Sequence, residues 1–217
     1  AGQQERLRRF HEEAVAALAA RFDVDSSEAE KRLSLGMRVA SLLGWHLLDS
    51  GALYRLVALA GSREGLSPAD VAGHAVLASR MQVRFGEDGL GEEQVWLGEP
   101  PEDVTAAIRT EEAGQGASRV AAWPSVRAAL LQRQQDFARP PGLVADGRDM
   151  GTVVFPQGPV KIFLTASAEE RARRRHKQLK DKGSGASLAA LSLEIAERDR
   201  RDSTRAVAPL KPAADAV

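Results

Sequence analysis

The sequence predicts an α/β protein in which a mostly parallel sheet is covered by helices on both faces. Three observations lead there. Short apolar runs at Trp45–Asp49, Leu143–Ala145 and Val160–Thr165 alternate with stretches of helical periodicity. The runs are mainly apolar, as strands buried on both faces require. Each also leads into polar residues, among them Asp49-Ser50 and Asp146-Gly147-Arg148-Asp149, and such sheets bind ligands beyond the carboxyl ends of their strands.

The elements follow in order. Leu7, Phe10, Ala14, Leu18 and Phe22 recur at helical spacing over 5–22. Ser27 and Glu30 have the form of a capping box opening a second helix, which runs to about Leu43 and closes at Gly44. Trp45–Asp49 is a strand and Leu53–Ala60 a helix. The texture changes from Gly61 to about Glu112, where Met81–Phe85 and Gln94–Gly98 flank a glycine-rich acidic link and read as an antiparallel hairpin. Residues 111–138 are helical, with a break at Trp123-Pro124. Further helices are expected at about Ser167–Lys182 and Leu188–Arg201, joined by a loop at Gly183–Ala186.

Composition narrows the function classes. The 217 residues suffice for one sizeable domain, or a core with a small insertion. Thirty basic and thirty acidic side chains cancel, so an anion site must be local rather than the product of a global field. No cysteine is present, which excludes disulfides, thiolate metal sites and cysteine nucleophiles and fits a reducing cytoplasm. No apolar run approaches the roughly 18 residues of a membrane span. The N-terminal stretch carries Arg6, Arg8 and Arg9 but no continuous apolar segment, so a signal peptide is not expected.

Several arginines adjoin carboxylates: Arg148-Asp149, Arg198-Asp199, and Arg201-Asp202 followed by Arg205. The planar, permanently charged guanidinium suits phosphate, and a neighbouring carboxylate can hold its fork in place. Surface salt bridging is the competing explanation. Arg171, Arg173, Arg174 and Arg175, with His176 and Lys177, form a basic run that fits a solvated face, a phosphate clamp or a nucleic-acid contact. The aromatic interleaving that base stacking calls for is absent. His46 reads as a strand histidine, and His11, His74 and His176 show no metal-ligand spacing. Tyr54, beside Arg55, fits either packing or a base or phosphate contact.

Taken together, WHLLDSGALYR (45–55), SRVAAWPSVR (118–127), VADGRDMGTVVF (144–155), VKIFLT (160–165) and ERDRRDSTRAVAPLKPAA (197–214) closely resemble bacterial cytidylate kinases, in order and at compatible spacing. The resemblance implies the P-loop nucleoside-monophosphate kinase core over 27–217, an enlarged monophosphate-binding insertion near 61–112 and an arginine-rich lid near 171–186. Residues 1–26 form an atypical helical segment before it. The implied activity is transfer of the terminal phosphoryl group of ATP, with Mg2+, to CMP or dCMP by a cytoplasmic monomer with neither nucleic acid nor membrane as partner. Carried over by position, Ser50, Tyr54 and Arg55 contact the nucleotide, and Ser118, Arg127 and Asp149 read the cytosine. Arg148 and Arg198 hold the acceptor phosphate, Asp202 the sugar hydroxyls, and Arg205 lies near sugar and phosphate. Arg171 and Arg174 are the implied lid arginines, catalytic together with Arg148.

The sequence departs from that family in one region. A G-x-x-x-x-G-K-[ST] turn is expected before Trp45, its backbone N–H groups cradling phosphates. Residues 26–34 read SSEAEKRLS, without glycine, and no Gly-Lys dipeptide occurs in the chain. Lys31, Arg32 and Ser34 are the remaining candidates there for ATP phosphate or metal, and no metal ligand is otherwise assigned. After Asp215 the family's final strand and helix are also not found. Three readings therefore stand: an active (d)CMP kinase, a CMP-binding relative with impaired or no turnover, and a nucleic-acid-binding protein using 171–177.

Overall fold

The computed structural model describes residues 35–87, 93–181 and 187–217. The helix expected at 5–22, the Ser27–Glu30 capping box, the Lys31, Arg32 and Ser34 candidates and the 183–186 loop lie outside these residues.

Helix α1, Leu35–Leu43, is the described end of the second expected helix. It stops as predicted at Gly44, whose φ of +64° is left-handed. Trp45 N–H donates to Ala40 O at 2.9 Å and Gly44 N–H to Ser41 O at 3.3 Å, the paired bonds of a Schellman cap. The chain then enters strand β1, His46–Asp49. His46 is the strand histidine expected, with Nε2 2.9 Å from Pro140 O.

Asp49 ends β1 and caps helix α2, Ser50–Arg63, its Oδ1 accepting from Ala52 N–H at 3.0 Å. Leu53, Leu56, Val57 and Ala60 of α2 are buried at helical spacing. Helix α3, Val71–Arg80, is capped by Asp70 in the same way. The expected hairpin is present as β2, Val83–Glu87, antiparallel to β3, Glu93–Leu97. A short third strand, β4, Glu102–Asp103, extends it. After one turn of helix, α4, Thr105–Ile108, come α5, Glu111–Val120, and α6, Pro124–Gln135. Pro124 breaks the helical stretch where predicted and occupies the first turn of α6, where its missing N–H costs nothing.

Strand β5, Leu143–Asp146, pairs with β1 in parallel, His46 opposite Leu143 and Asp49 opposite Asp146. A π-helical turn, Met150–Val154, follows. Helices α7, Ala168–Asp181, and α8, Leu188–Thr204, pack against each other. Among the described residues the third expected strand is not realised, since Val160–Thr165 forms no ladder there. Its backbone bonds among them are to Val217, Phe163 N–H donating to Val217 O at 2.7 Å and Val217 N–H to Lys161 O at 3.0 Å. A strand needs a run of partners, and one residue does not supply it.

The core joins the two sheets. Leu48, Leu53, Leu56 and Val57 lie with Val95, Val104, Val126 and Leu130, all inaccessible to solvent or nearly so. Helix α5 lies directly on α2, because a Cβ at Gly116 would fall 2.8 Å from Ala58 Cβ. This contact carries α5's polar residues close to the end of β1. No helix among the described residues is long and apolar enough to cross a membrane.

Leu53→Ala would leave a cavity at the centre of this core. Urea unfolding should show a loss of about 2–5 kcal/mol.

Candidate active site

The parallel register sets Asp49 and Asp146 side by side at the carboxyl ends of their strands. Part of Asp146 stays open to solvent, yet crowding by protein, and secondarily Asp49, push its carboxyl above the ordinary range. A carboxylate so raised beside a second one favours a nearby cation. Its hard oxygen donors suit magnesium, which keeps most of its waters and uses one or two carboxylates. The described residues contain no group of three or more potential metal ligands.

Beyond Asp49 lies a buried polar pocket. Arg127 and Asp149 form an ion pair, 8% and 4% exposed, with Arg127 Nη2 donating to Asp149 Oδ2. Arg127 Nη1 also donates to Ala121 O at 3.2 Å. Its guanidinium lies 5.6 Å from the ring centre of Tyr54, and burial pushes the Tyr54 phenol up. Ser50 Oγ–H donates to Gln134 Oε1 at 2.7 Å, and Gln134 Nε2 in turn to Leu130 O at 3.3 Å. On α5, the Ser118 hydroxyl is buried without a hydrogen-bond partner. Buried polar atoms are rarely left so, and an orphan points to a missing partner.

Beside the pocket, guanidinium groups converge from three helices and a loop. Arg55 of α2 donates from Nη1 to Ile108 O at 2.7 Å and Thr110 O at 3.2 Å. Arg148 pairs with Asp202, as does Arg205 at 3.7 Å. Arg171 of α7 binds Asp199 of α8 through both its terminal nitrogens, which raises its pKa. Arg175 reaches Glu111 of α5 at 3.4 Å. Arg198 has a buried Nε without a partner. Burial first, then neighbouring arginines, lower Arg148 to about 10. Burial also lowers Arg55, Arg198 and Arg205. Desolvated like charges are unfavourable without counterions, and an oxyanion would supply the missing negative charge.

The profile of the family described as cytidylate kinase matches residues 12–217. The chain belongs to the cytidylate kinase family. A cytidylate kinase of Stutzerimonas stutzeri is 56% identical over 196 residues, spanning 89% of this chain and 84% of the relative. One from Pseudomonas aeruginosa is 59% identical over 180 residues, 82% of this chain and 78% of the relative. One from Methylococcus capsulatus is 52% identical over 194 residues, 89% and 86% of the two chains.

The cytidylate kinase fold brings Ser50, Tyr54, Arg127 and Asp149 together around Gln134, and buries Ser118 on α5. Arg55, Arg148, Arg171, Arg198, Asp202 and Arg205 belong to the adjoining arginine cluster. Arg174 is not brought in: its side chain is 67% exposed and pairs at 2.9 Å with Glu170 of its own helix. Arg175, one residue on, turns inward instead. The carboxylates adjacent in sequence are not the partners of their arginines. Asp149 binds Arg127, Arg148 binds Asp202, and Asp199 binds Arg171. Consecutive helical residues face different directions, so an adjacent pair on α8 cannot close on itself. Sequence reasoning missed Gln134, Glu111, Asp199 and Arg175 as partners in this network. In the sequence, only the spacing of Arg198, Asp202 and Arg205 at i, i+4 and i+7 marked one shared face.

Asp149→Ala would leave the Arg127 guanidinium buried without its counterion, and denaturant melts should show a loss of about 3–5 kcal/mol. At Asp146 the folded pKa lies above the unfolded one, so the stability it contributes is present at low pH and lost as pH rises through the folded value. Asp146→Asn should therefore raise the thermal midpoint at pH 7, with the gain disappearing near ~pH 3.

Proposed function

We propose that this chain transfers the γ-phosphoryl group of ATP to CMP or dCMP, giving ADP and CDP or dCDP. The observation that carries this reading is the buried Arg127–Asp149 pair beside Tyr54, with a desolvated arginine cluster alongside and a buried, partnerless hydroxyl at Ser118. The first set suits a flat, hydrogen-bonding base and the second its phosphate. Ser118 and Arg127 would satisfy the ring carbonyl and ring nitrogen of cytosine. Asp149 would accept from its exocyclic amine, the pairing that carboxylates make with cytosine elsewhere. Ser50, Tyr54 and Arg55 would line the nucleotide, and Asp202 would take the sugar hydroxyls with Arg205 close by.

The chemistry is an in-line displacement. An oxygen of the acceptor phosphate attacks the γ-phosphorus, the bond to the β–γ bridging oxygen breaks, and ADP carries away that electron pair. Arg148 and Arg198 would hold the acceptor phosphate, and Arg171 would act on the transferring group. Positioning and charge neutralisation dominate such transfers, and arginines in this role contribute about 10³–10⁵ in rate. Closure of the lid would exclude water and so suppress idle ATP hydrolysis. Magnesium, when bound with ATP, supplies further neutralisation, and Asp49 and Asp146 are the residues that would hold it through its water shell. Neutral net charge and the absence of aromatic interleaving support a small-molecule acceptor over nucleic acid. The same reading makes the protein a monomer of the cytoplasm.

A coupled assay for ADP, run with ATP and magnesium with and without CMP, tests the proposal alongside calorimetry of CMP alone. ADP formation that requires CMP is the expected outcome. CMP binding without ADP formation would overturn the transfer and leave an acceptor-binding relative. Asp149→Asn should weaken CMP about 10- to 100-fold, the cost of a charge-assisted hydrogen bond.

A further inference from the structure

Glu111 and Glu112 open helix α5 together, and in the sequence both look like acidic residues complementing a helix N-terminus. Their surroundings differ. Glu112 faces solvent. Glu111 is half-buried, and arginines of three other helices lie within its electrostatic reach. Arg175 of α7 pairs with it directly at 3.4 Å. Arg55 of α2 and Arg198 of α8 are lowered by burial, and Glu111 opposes that shift in both.

The turn that Glu111 opens is also shaped to receive the other two guanidiniums. Arg55 donates to the carbonyls of Ile108 and Thr110, immediately before it. One turn on, a Cβ at Gly114 would stand 3.3 Å from Arg55 Nη2 and 3.7 Å from Arg198 Nη1. Both arginines thus rest on bare backbone where a larger side chain would displace them. Meanwhile Arg173 and Arg174 of α7 pair with Glu170 on their own helix, and Arg171 binds α8. Arg175–Glu111 therefore links α7 to the helix carrying Ser118.

We propose that Glu111 is a positioning residue: it holds Arg55 and Arg198 for the acceptor phosphate and, through Arg175, couples the seating of α7 to occupancy of that site. The inference rests on the acceptor reading above, and adds to it a route by which acceptor binding orders the lid helix. Glu111 touches no reacting atom.

Glu111→Gln, Arg175→Gln, their double variant and Glu112→Gln separate this from simple helix capping. Each is measured by CMP calorimetry and by amide hydrogen exchange of 168–181 with and without CMP, after a thermal melt establishes that it folds. Glu111→Gln should weaken CMP about three- to tenfold, and the double variant should be no worse, as expected for coupled neighbours. CMP should protect α7 in the starting protein and in Glu112→Gln but not in Glu111→Gln. Equal effects of Glu111→Gln and Glu112→Gln, or unaltered protection of α7 in Glu111→Gln, would overturn the proposal. If the unaltered protein binds no CMP, the acceptor reading fails. The link is then judged without nucleotide: faster exchange in α7 on Glu111→Gln supports it, and unchanged exchange overturns it.

Discussion

Two four-residue strands far apart in the chain, β1 and β5, pair in parallel with Asp49 opposite Asp146, and the chemistry of the protein is arranged around that register. Parallel neighbours cannot be joined by a tight turn, so the intervening chain must cross over the sheet. Here that crossover is long enough to hold α2 through α6 and the three-stranded sheet. The register also decides what emerges at the strand ends. Asp49 turns the chain directly into α2 by capping it, which presents Ser50, Tyr54 and Arg55 in succession. On the neighbouring strand, Asp146 leads through Gly147 to Arg148 and Asp149. A slip of one residue would send every one of these side chains to the opposite face.

The second organising constraint is electrostatic. The formal charge of the chain is zero, yet its arginines are gathered where carboxylates are too few. Asp202 serves both Arg148 and Arg205, Asp199 serves Arg171, and Arg198 keeps a buried nitrogen unpaired. Such a cluster costs folding free energy in the empty protein, because desolvation and mutual repulsion both disfavour it. The apolar core, from Leu48 to Leu130, offsets that cost. This is a common arrangement for binding sites, where local interactions are left unsatisfied until the ligand completes them. In the pocket the opposite holds: Arg127 and Asp149 satisfy each other, so a base must share them rather than fill a vacancy.

The chemistry of both regions depends on helices meeting closely. Gly116 lets α5 lie against α2, and Gly114 lets Arg55 and Arg198 approach the backbone of α5. That is why residues far apart within the crossover, Arg55 of α2 and the opening turn of α5 among them, reach one region. Helix α7 enters the same network through Arg171 and Arg175, which bind two different helices.

Local patterns in the sequence determined the α/β class, the two paired strands, the hairpin, the break at Pro124, the Gly44 cap and membership of the cytidylate kinase family. Each depends on residues close together in the chain, where periodicity, capping and turn chemistry act. Val160–Thr165 shows the limit of such reasoning, since apolar residues make a strand only when a neighbour pairs with them. Tertiary structure alone decided the partner of each charge. Arg148-Asp149 and Arg198-Asp199 are adjacent in sequence, but their carboxylates serve Arg127 and Arg171, brought from other elements. Glu111 and Glu112 were likewise equivalent until packing turned one inward. Charge interacts through space, and only the fold determines which charges become neighbours.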